Sequence, residues 1–250
     1  MPSAATIRIE ICIDSVESSI AAAEGGAHRV ELCQNLFEGG TTPSWGMIRS
    51  VLRHTELPVF VMIRPRGADF CYSEAEFRVM EEDVQAARKL GVDGIVTGIL
   101  KANGTIDVPR MKRLVNLAGP LPVTFHRAFD VTRDATKSME TLIHLKITRV
   151  LTSGQERSVI EGADLIAKLV KQAGERIIVV PGGGISERNF EKVRRVTGAK
   201  EFHLSASAPV LGQMEYRNTR VPMGRELRAS EFGWSATDRK RVATLMKRIK

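Results

Sequence analysis

Hydrophobic positions along the chain follow two alternating periods. Apolar, β-rich runs of strand length recur at Ile7 to Ile13, Val30 to Cys33, Val59 to Ile63, Gly94 to Ile99, Val123 to His126, Val150 to Ser153, Ile177 to Val180 and Phe202 to Ser205. Between them lie helix-period segments with start signals such as Asp14-x-x-Glu17 and Ser73-x-x-Glu76, whose side chains satisfy free N–H groups at a helix start. Strand and helix therefore alternate from one end of the chain to the other.

The even-numbered strands share a lead-in: Gly26-Ala-His-Arg-Val30, Gly91-Val-Asp-Gly-Ile95 and Gly198-Ala-Lys-Glu-Phe202, with Lys146-Ile-Thr-Arg-Val150 as a glycine-free variant. Glycine suits the left-handed position that ends a helix. Two odd-numbered strands follow a Leu-Pro step, Leu57-Pro58 and Leu121-Pro122, where proline opens a strand without interrupting it. Repetition of this double unit predicts an α/β fold, a single-domain (β/α)8 TIM barrel over residues 1–250, with an open doubly wound sheet as the alternative. Residues 207 to 238 read as a long closing loop. Beyond them, Val242, Leu245, Met246 and Ile249 mark Arg239 to Lys250 as an amphipathic terminal helix docked by one face.

The formal charge of +8 invites a nucleic-acid reading. Five of those charges are contributed by residues 225–250, where eight Lys/Arg face three Asp/Glu, so the basic excess belongs to a solvated helix face and no DNA- or RNA-binding motif accompanies it. An interaction module working through this basic tail is a minor alternative. No apolar run is long enough to cross a bilayer, and Met1 to Glu10 lacks the apolar stretch of a signal peptide. Three cysteines, Cys12, Cys33 and Cys71, are an odd number in a long chain, which points to reduced thiols and a cytoplasmic location.

Side-chain parity assigns faces. Ile7, Ile9, Ile11 and Ile13 face the helices, so Glu10, Cys12 and Asp14 point into the barrel; likewise Glu31 and Cys33, Arg64, Thr124 and His126, and His203 and Ser205. Buried charge is costly unless paired. One outcome is an ion-pair network with Arg64 against Glu10 or Glu31. The other is an active site, because these residues come late in their strands and barrel active sites lie at strand C-termini. Three loops point to the same mouth. Pro181-Gly182-Gly183-Gly184-Ile185-Ser186 combines a glycine run with a helix start capped by Ser186, the usual anion-binding arrangement of this fold, although a tight turn alone would also use it. Arg64 and Arg66 are placed to clamp an oxyanion. His126 is a titratable imidazole with Asp130 near in sequence.

Glu10-x-Cys12 and Glu31-x-Cys33 repeat one pattern on neighbouring strands, and closure sets His203 beside them. Two thiolates with an imidazole form a soft, low-coordinate set that matches Cu(I) better than magnesium or calcium. Plain buried cysteine is the competing reading. Cys71 reads as loop packing.

These words together resemble the CutC copper homeostasis family: Ile9-Glu-Ile-Cys-Ile-Asp-Ser-Val-Glu17, Arg29-Val-Glu-Leu-Cys33, Glu38-Gly-Gly-Thr-Thr-Pro43, Met62-Ile-Arg-Pro-Arg-Gly67, Pro122-Val-Thr-Phe-His-Arg-Ala-Phe-Asp130, Leu151-Thr-Ser-Gly154, Pro181-Gly-Gly-Gly184, Glu201-Phe-His203, and in the tail Met214-x-Tyr-Arg-Asn218 with Met223-Gly224. The resemblance implies a cytosolic, oligomeric TIM barrel that binds Cu(I) through Cys12 and Cys33. Ala68 departs from the family word, which continues with glycine there; a left-handed backbone at that position would be strained by the Cβ. The alternative function is an enzyme acting on a small phosphorylated or carboxylated substrate. In that reading Arg66, Gly182, Gly183, Gly184 and Ser205 hold the anion, and Glu10, Glu31, Arg64, His126 and His203 do the acid/base and electrostatic work.

Overall fold

The computed structural model describes residues 7–218, 220 and 233–249. Its eight central strands are β1 (Arg8–Ile13), β2 (Arg29–Leu32), β3 (Val59–Met62), β4 (Gly94–Thr97), β5 (Val123–Phe125), β6 (Arg149–Thr152), β7 (Ile178–Pro181) and β8 (Glu201–Leu204). Seven helices join them: α1 (Val16–Glu24), α2 (Trp45–His54), α3 (Glu74–Leu90), α4 (Val108–Ala118), α5 (Ala135–His144), α6 (Ala163–Ala173) and α7 (Phe190–Thr197). The strands pair in parallel in the order β7-β6-β5-β4-β3-β2-β1-β8, and a bridge between Gly182 and His203 closes the ring. This is a TIM barrel, as the alternation predicts.

Parity holds at the barrel wall. Ile9, Ile11, Ile13, Val30, Leu32, Val59 and Val61 are buried between the sheet and the helices. Phe202 of β8 meets Phe190 of α7 edge-on at 5.0 Å between ring centroids, the geometry favoured by the ring quadrupoles.

The punctuation agrees in part. Gly91 and Gly198 end α3 and α7 in the left-handed conformation, and Lys146 adopts the same conformation at φ +58° in the glycine-free lead-in. Ser73 and Glu76 form a reciprocal capping box on α3. Helix α1 is capped by Ser15, which accepts from the Ser18 N–H, and not by Asp14, one residue earlier. Likewise α7 starts after Asn189, so Ser186 is not its cap; the Ser186 N–H instead donates to Asn189 Oδ1 at 2.8 Å.

The segment read as a closing loop contains two strands, β9 (Ser207–Leu211) and β10 (Gly233–Thr237), paired antiparallel at the barrel mouth. Residues 219 and 221–232, which include Met223 and Gly224, lie outside the described residues. Helix α8 (Arg239–Lys247) follows, and Lys250 lies outside the described residues. Val242 and Leu245 are fully buried, with Met246 and Ile249 partly buried beside them, as the periodicity predicts. The approach to α1 is so close that a Cβ on Gly25 would lie 2.5 Å from Val242 Cβ. Arg241 fixes the helix further through both its Nε and Nη2 to the Glu187 carboxylate, at 2.7 and 2.8 Å.

Candidate functional site

The register of β1 sets the site. Cys12 pairs with Glu31 on β2, and Glu10 pairs with Arg29 on one side and His203 of β8 on the other. Since side chains alternate along each strand, Glu10, Cys12, Glu31 and His203 all turn into the barrel at neighbouring levels. Cys33, just beyond β2, joins them. Its Sγ lies 3.9 Å from Cys12 Sγ and donates to Glu31 Oε2 at 3.5 Å. His203 spans the two carboxylates, with Nδ1 2.8 Å from Glu10 Oε1 and Nε2 3.7 Å from Glu31 Oε2. Two donor triads result, Cys12 with Glu31 and Cys33, and Glu10 with Glu31 and His203.

The charges in this cluster are unequal for physical reasons. Burial raises the Glu10 carboxyl, but Arg29 and then His203 overcome it and hold Glu10 down at about 2. Burial dominates at Glu31 and pushes it up to about 8. The contact with Cys33 draws the Cys12 thiol down to about 5 against the cost of burial, with His203 adding to the effect. The same contact and burial raise Cys33. Burial works against a charged His203, yet Glu31, Cys12 and Glu10 together raise it well above the ordinary imidazole value. The arrangement is an imidazolium held among a thiolate and carboxyls, with one thiol proton left on Cys33.

Below this cluster lies an ion-pair layer. Arg29 Nε bonds Glu10, Arg29 Nη2 bonds Glu201 Oε2 at 2.9 Å, and Arg149 Nε bonds the same oxygen at 3.0 Å. Both guanidiniums sit over the Phe60 ring. Sequence reasoning missed Arg29, Arg149 and Glu201, although Arg29 shares parity with Glu31 and Glu201 with His203. Arg64, the partner that one of the two readings of the sequence expects for Glu10 or Glu31, forms no ion pair with either; Arg29 and His203 take that place. Arg64 is buried and holds loops: Nη1 donates to the carbonyls of Glu38 (2.9 Å) and Gly40 (2.8 Å), and Nη2 to that of Ala68 (2.9 Å).

Above the cluster, a cavity of about 1100 Å³ opens between the barrel mouth and the β9–β10 ribbon. Its lining includes Cys12, Glu31, His203 and Ser205, flanked by Arg64 beyond β3 and by Gly183 and Gly184 beyond β7, with His126 of the β5 end across from Cys12. Gly182 lies beneath, where a Cβ would fall 2.5 Å from Leu151 Cδ1. Gly183 and Gly184 adopt φ of +105° and +86°. Arg66, expected to clamp an anion here, does not line the cavity. It is turned into its own loop, bonding Glu76, Asp69 and the carbonyls of Gly67 and Cys71. Asp130 is not a partner of His126. It is occupied by Thr152, Ser153, the Gln155 N–H and Arg127. Cys71 is exposed, away from the two inward thiols.

His126 lies across the barrel from Cys12. Its Nδ1 accepts from the Ala128 N–H at 3.1 Å, which leaves the proton on Nε2, a buried atom with no partner among the described residues. Burial, reinforced by Arg64, lowers its pKa to about 3, so the ring is neutral.

The fold and the site together define a TIM barrel with a buried thiol, carboxyl and imidazole cluster under an open cavity. The model of the CutC family matches residues 7–208. The chain is 48% identical over 237 residues to the human copper homeostasis protein cutC homolog, covering 95% of this chain and 87% of that protein. It is 51% identical over 235 residues to a CutC family protein of Parabacteroides distasonis, covering 94% and 97%. Among solved structures, a CutC from Streptococcus agalactiae superposes with a TM-score of 0.76 at 38% identity, covering 80% of this chain and 98% of that one. The chain belongs to the CutC family. Phosphoribosylanthranilate isomerase from Pyrococcus furiosus (TM-score 0.55, 16% identity, 97% of this chain and 98% of that one) shares the barrel alone.

Proposed function

We infer that this protein serves copper homeostasis by binding Cu(I), its cargo, between Cys12 and Cys33. The observation that carries this reading is the 3.9 Å separation of the two sulfurs inside the barrel. Thiolate–metal bonds are about 2.3 Å in zinc sites, so both sulfurs can reach one ion between them. Soft sulfur donors favour a soft ion, and a low coordination number suits a site that supplies two thiols and few free nitrogens. Cys12 is drawn toward the thiolate by its neighbours; Cys33 carries the proton that ion binding would release. The names of the human and Streptococcus relatives, both copper homeostasis proteins, support the same reading.

His203 is the auxiliary ligand or the positive partner that keeps Cys12 charged. The cytoplasm suits such a site because free thiols persist there; among the described residues no helix is long and apolar enough to cross a membrane. Self-association, implied by the family resemblance, has an apolar surface available in Leu211 and Trp234 of the ribbon, both exposed.

Anaerobic Cu(I) titration against a competing chelator tests the reading. The Cys12→Ser, Cys33→Ser double variant should lose Cu(I) affinity by at least a hundredfold, and unchanged affinity would remove the proposal.

A further inference from the structure

Copper carriage leaves the wall opposite the thiols unexplained. That wall is continuous: His126 is followed by Arg127, whose Nη2 donates to Ser153 Oγ at 2.7 Å, and a Cβ on Gly183 would touch Ser153 Cβ at 3.2 Å and Arg127 Cζ at 3.4 Å. At its deep end is the His126 Nε2–H, whose tautomer is fixed by the backbone N–H received at Nδ1 and which has no acceptor among the described residues. An unpaired buried donor is costly, by roughly 1–3 kcal/mol. Steric room for this ring is built in at Gly98, where a Cβ would lie 2.7 Å from His126 Cε1. At the rim, the N–H groups of Gly183 and Gly184, both at positive φ, find no acceptor among the described residues, and Gly183 lies beside the Arg127 guanidinium. Successive free amides next to a guanidinium suit a phosphate, with its several oxygens and double charge. A single neutral imidazole N–H suits one uncharged acceptor oxygen.

We propose that the cavity binds a small phosphomonoester along this wall, with its phosphate at Gly183, Gly184 and Arg127 and a hydroxyl or carbonyl oxygen at its far end accepting from His126 Nε2–H. The ligand is thus a sugar-phosphate-sized molecule and not a bare oxyanion. The site shares the barrel mouth with the thiols but uses none of them.

Calorimetric titration of the full chain with glycerol 3-phosphate and with inorganic phosphate tests the proposal. The unaltered protein should bind glycerol 3-phosphate about tenfold more tightly than phosphate, the increment of one buried hydrogen bond. His126→Asn, whose Oδ1 can still accept from the Ala128 N–H, should lose that tenfold excess and keep its phosphate affinity. The Cys12→Ser, Cys33→Ser variant should bind both probes as the unaltered protein does, which separates this site from the copper reading. Imidazole NMR of the unaltered protein, labelled at histidine nitrogen, provides a test independent of the folding of any variant: the His126 Nε2–H resonance should shift with glycerol 3-phosphate and not with phosphate. Failure of the unaltered protein to bind either probe, full glycerol 3-phosphate affinity in His126→Asn, or an unmoved His126 resonance would each overturn the proposal.

Discussion

Glu10 Oε1 and His203 Nδ1 lie 2.8 Å apart across the β1–β8 seam, and the second oxygen of the same carboxylate is held by Arg29. One buried side chain thus couples the ion-pair layer beneath the barrel centre to the imidazole that faces the thiols. Its removal should be felt in both directions. Glu10→Ala leaves Arg29 buried with only Glu201 as a charged partner, and breaking such a pair costs about 3–5 kcal/mol. Urea unfolding should show that loss, with Glu10→Gln milder because it keeps hydrogen-bonding capacity. A loss below 1 kcal/mol for the alanine variant would mean that the layer does not depend on Glu10.

Cys12 should react as a thiolate at unusually low pH. In a Cys71→Ser background, which removes the exposed thiol, the rate of modification by iodoacetamide should rise through an inflection near pH 5, where a free cysteine would show one near about 8.5. The sign follows from the lowered pKa: thiolate is present above the inflection and is lost as pH falls through it. Since the contact with Cys33 is the largest cause of the shift, Cys33→Ala should move the inflection upward by at least one unit. An inflection that stays at the free-cysteine value in the unaltered pair would refute the assignment.

Much of this centre was legible because alternation along a strand is a strict geometric rule. Once Ile9, Ile11 and Ile13 are assigned to the helix side, Glu10 and Cys12 have nowhere to point but inward, and Glu31, Cys33 and His203 follow by the same count. The residues not legible in this way are of two kinds. Arg29, Arg149 and Glu201 carry the same parity signal but stand at strand starts, the end of the barrel remote from the loops that carry the active site in this fold. Arg66, Ser186 and the β9–β10 ribbon depend on tertiary geometry. The direction of an arginine in a loop is chosen by its acceptors, here Glu76 and Asp69. Ribbon strands pair across more than twenty intervening residues, with proline in one of them, and leave little periodicity to read.

Ala68 should be a site of easy stabilisation. It occupies φ +61°, a left-handed conformation in which a Cβ costs roughly 1 kcal/mol relative to glycine. Its carbonyl accepts from Arg64 Nη2, so the loop is pinned in that conformation. Ala68→Gly relieves the Cβ and also loosens the unfolded chain, which takes back about 0.4 kcal/mol or more, so the net gain should be at most about 0.5 kcal/mol. Thermal unfolding should register it as a rise of about one degree, and a fall in stability would show that the unfolded-chain effect dominates.

The neutral ring of His126 should make stability depend on pH in the mildly acidic range. Its folded pKa is lowered to about 3 from an ordinary 6.5 by burial and by Arg64. The unfolded chain therefore takes up a proton that the folded one refuses, so this contribution is complete above pH 6.5 and is eroded as pH falls toward 3. Between pH 7 and pH 5 the loss is about 2 kcal/mol at 1.36 kcal/mol per unit. Glu10, whose corresponding window runs from its ordinary 4.5 down to about 2, is silent over that interval. The contribution of His203, raised instead of lowered, has the opposite sign and cancels on comparison with a variant that retains it. Urea unfolding of the unaltered protein and of His126→Asn at pH 7 and pH 5 isolates the effect. The unaltered protein should lose about 2 kcal/mol more than the variant on acidification, and parallel behaviour of the two would mean that His126 is protonated in the folded state.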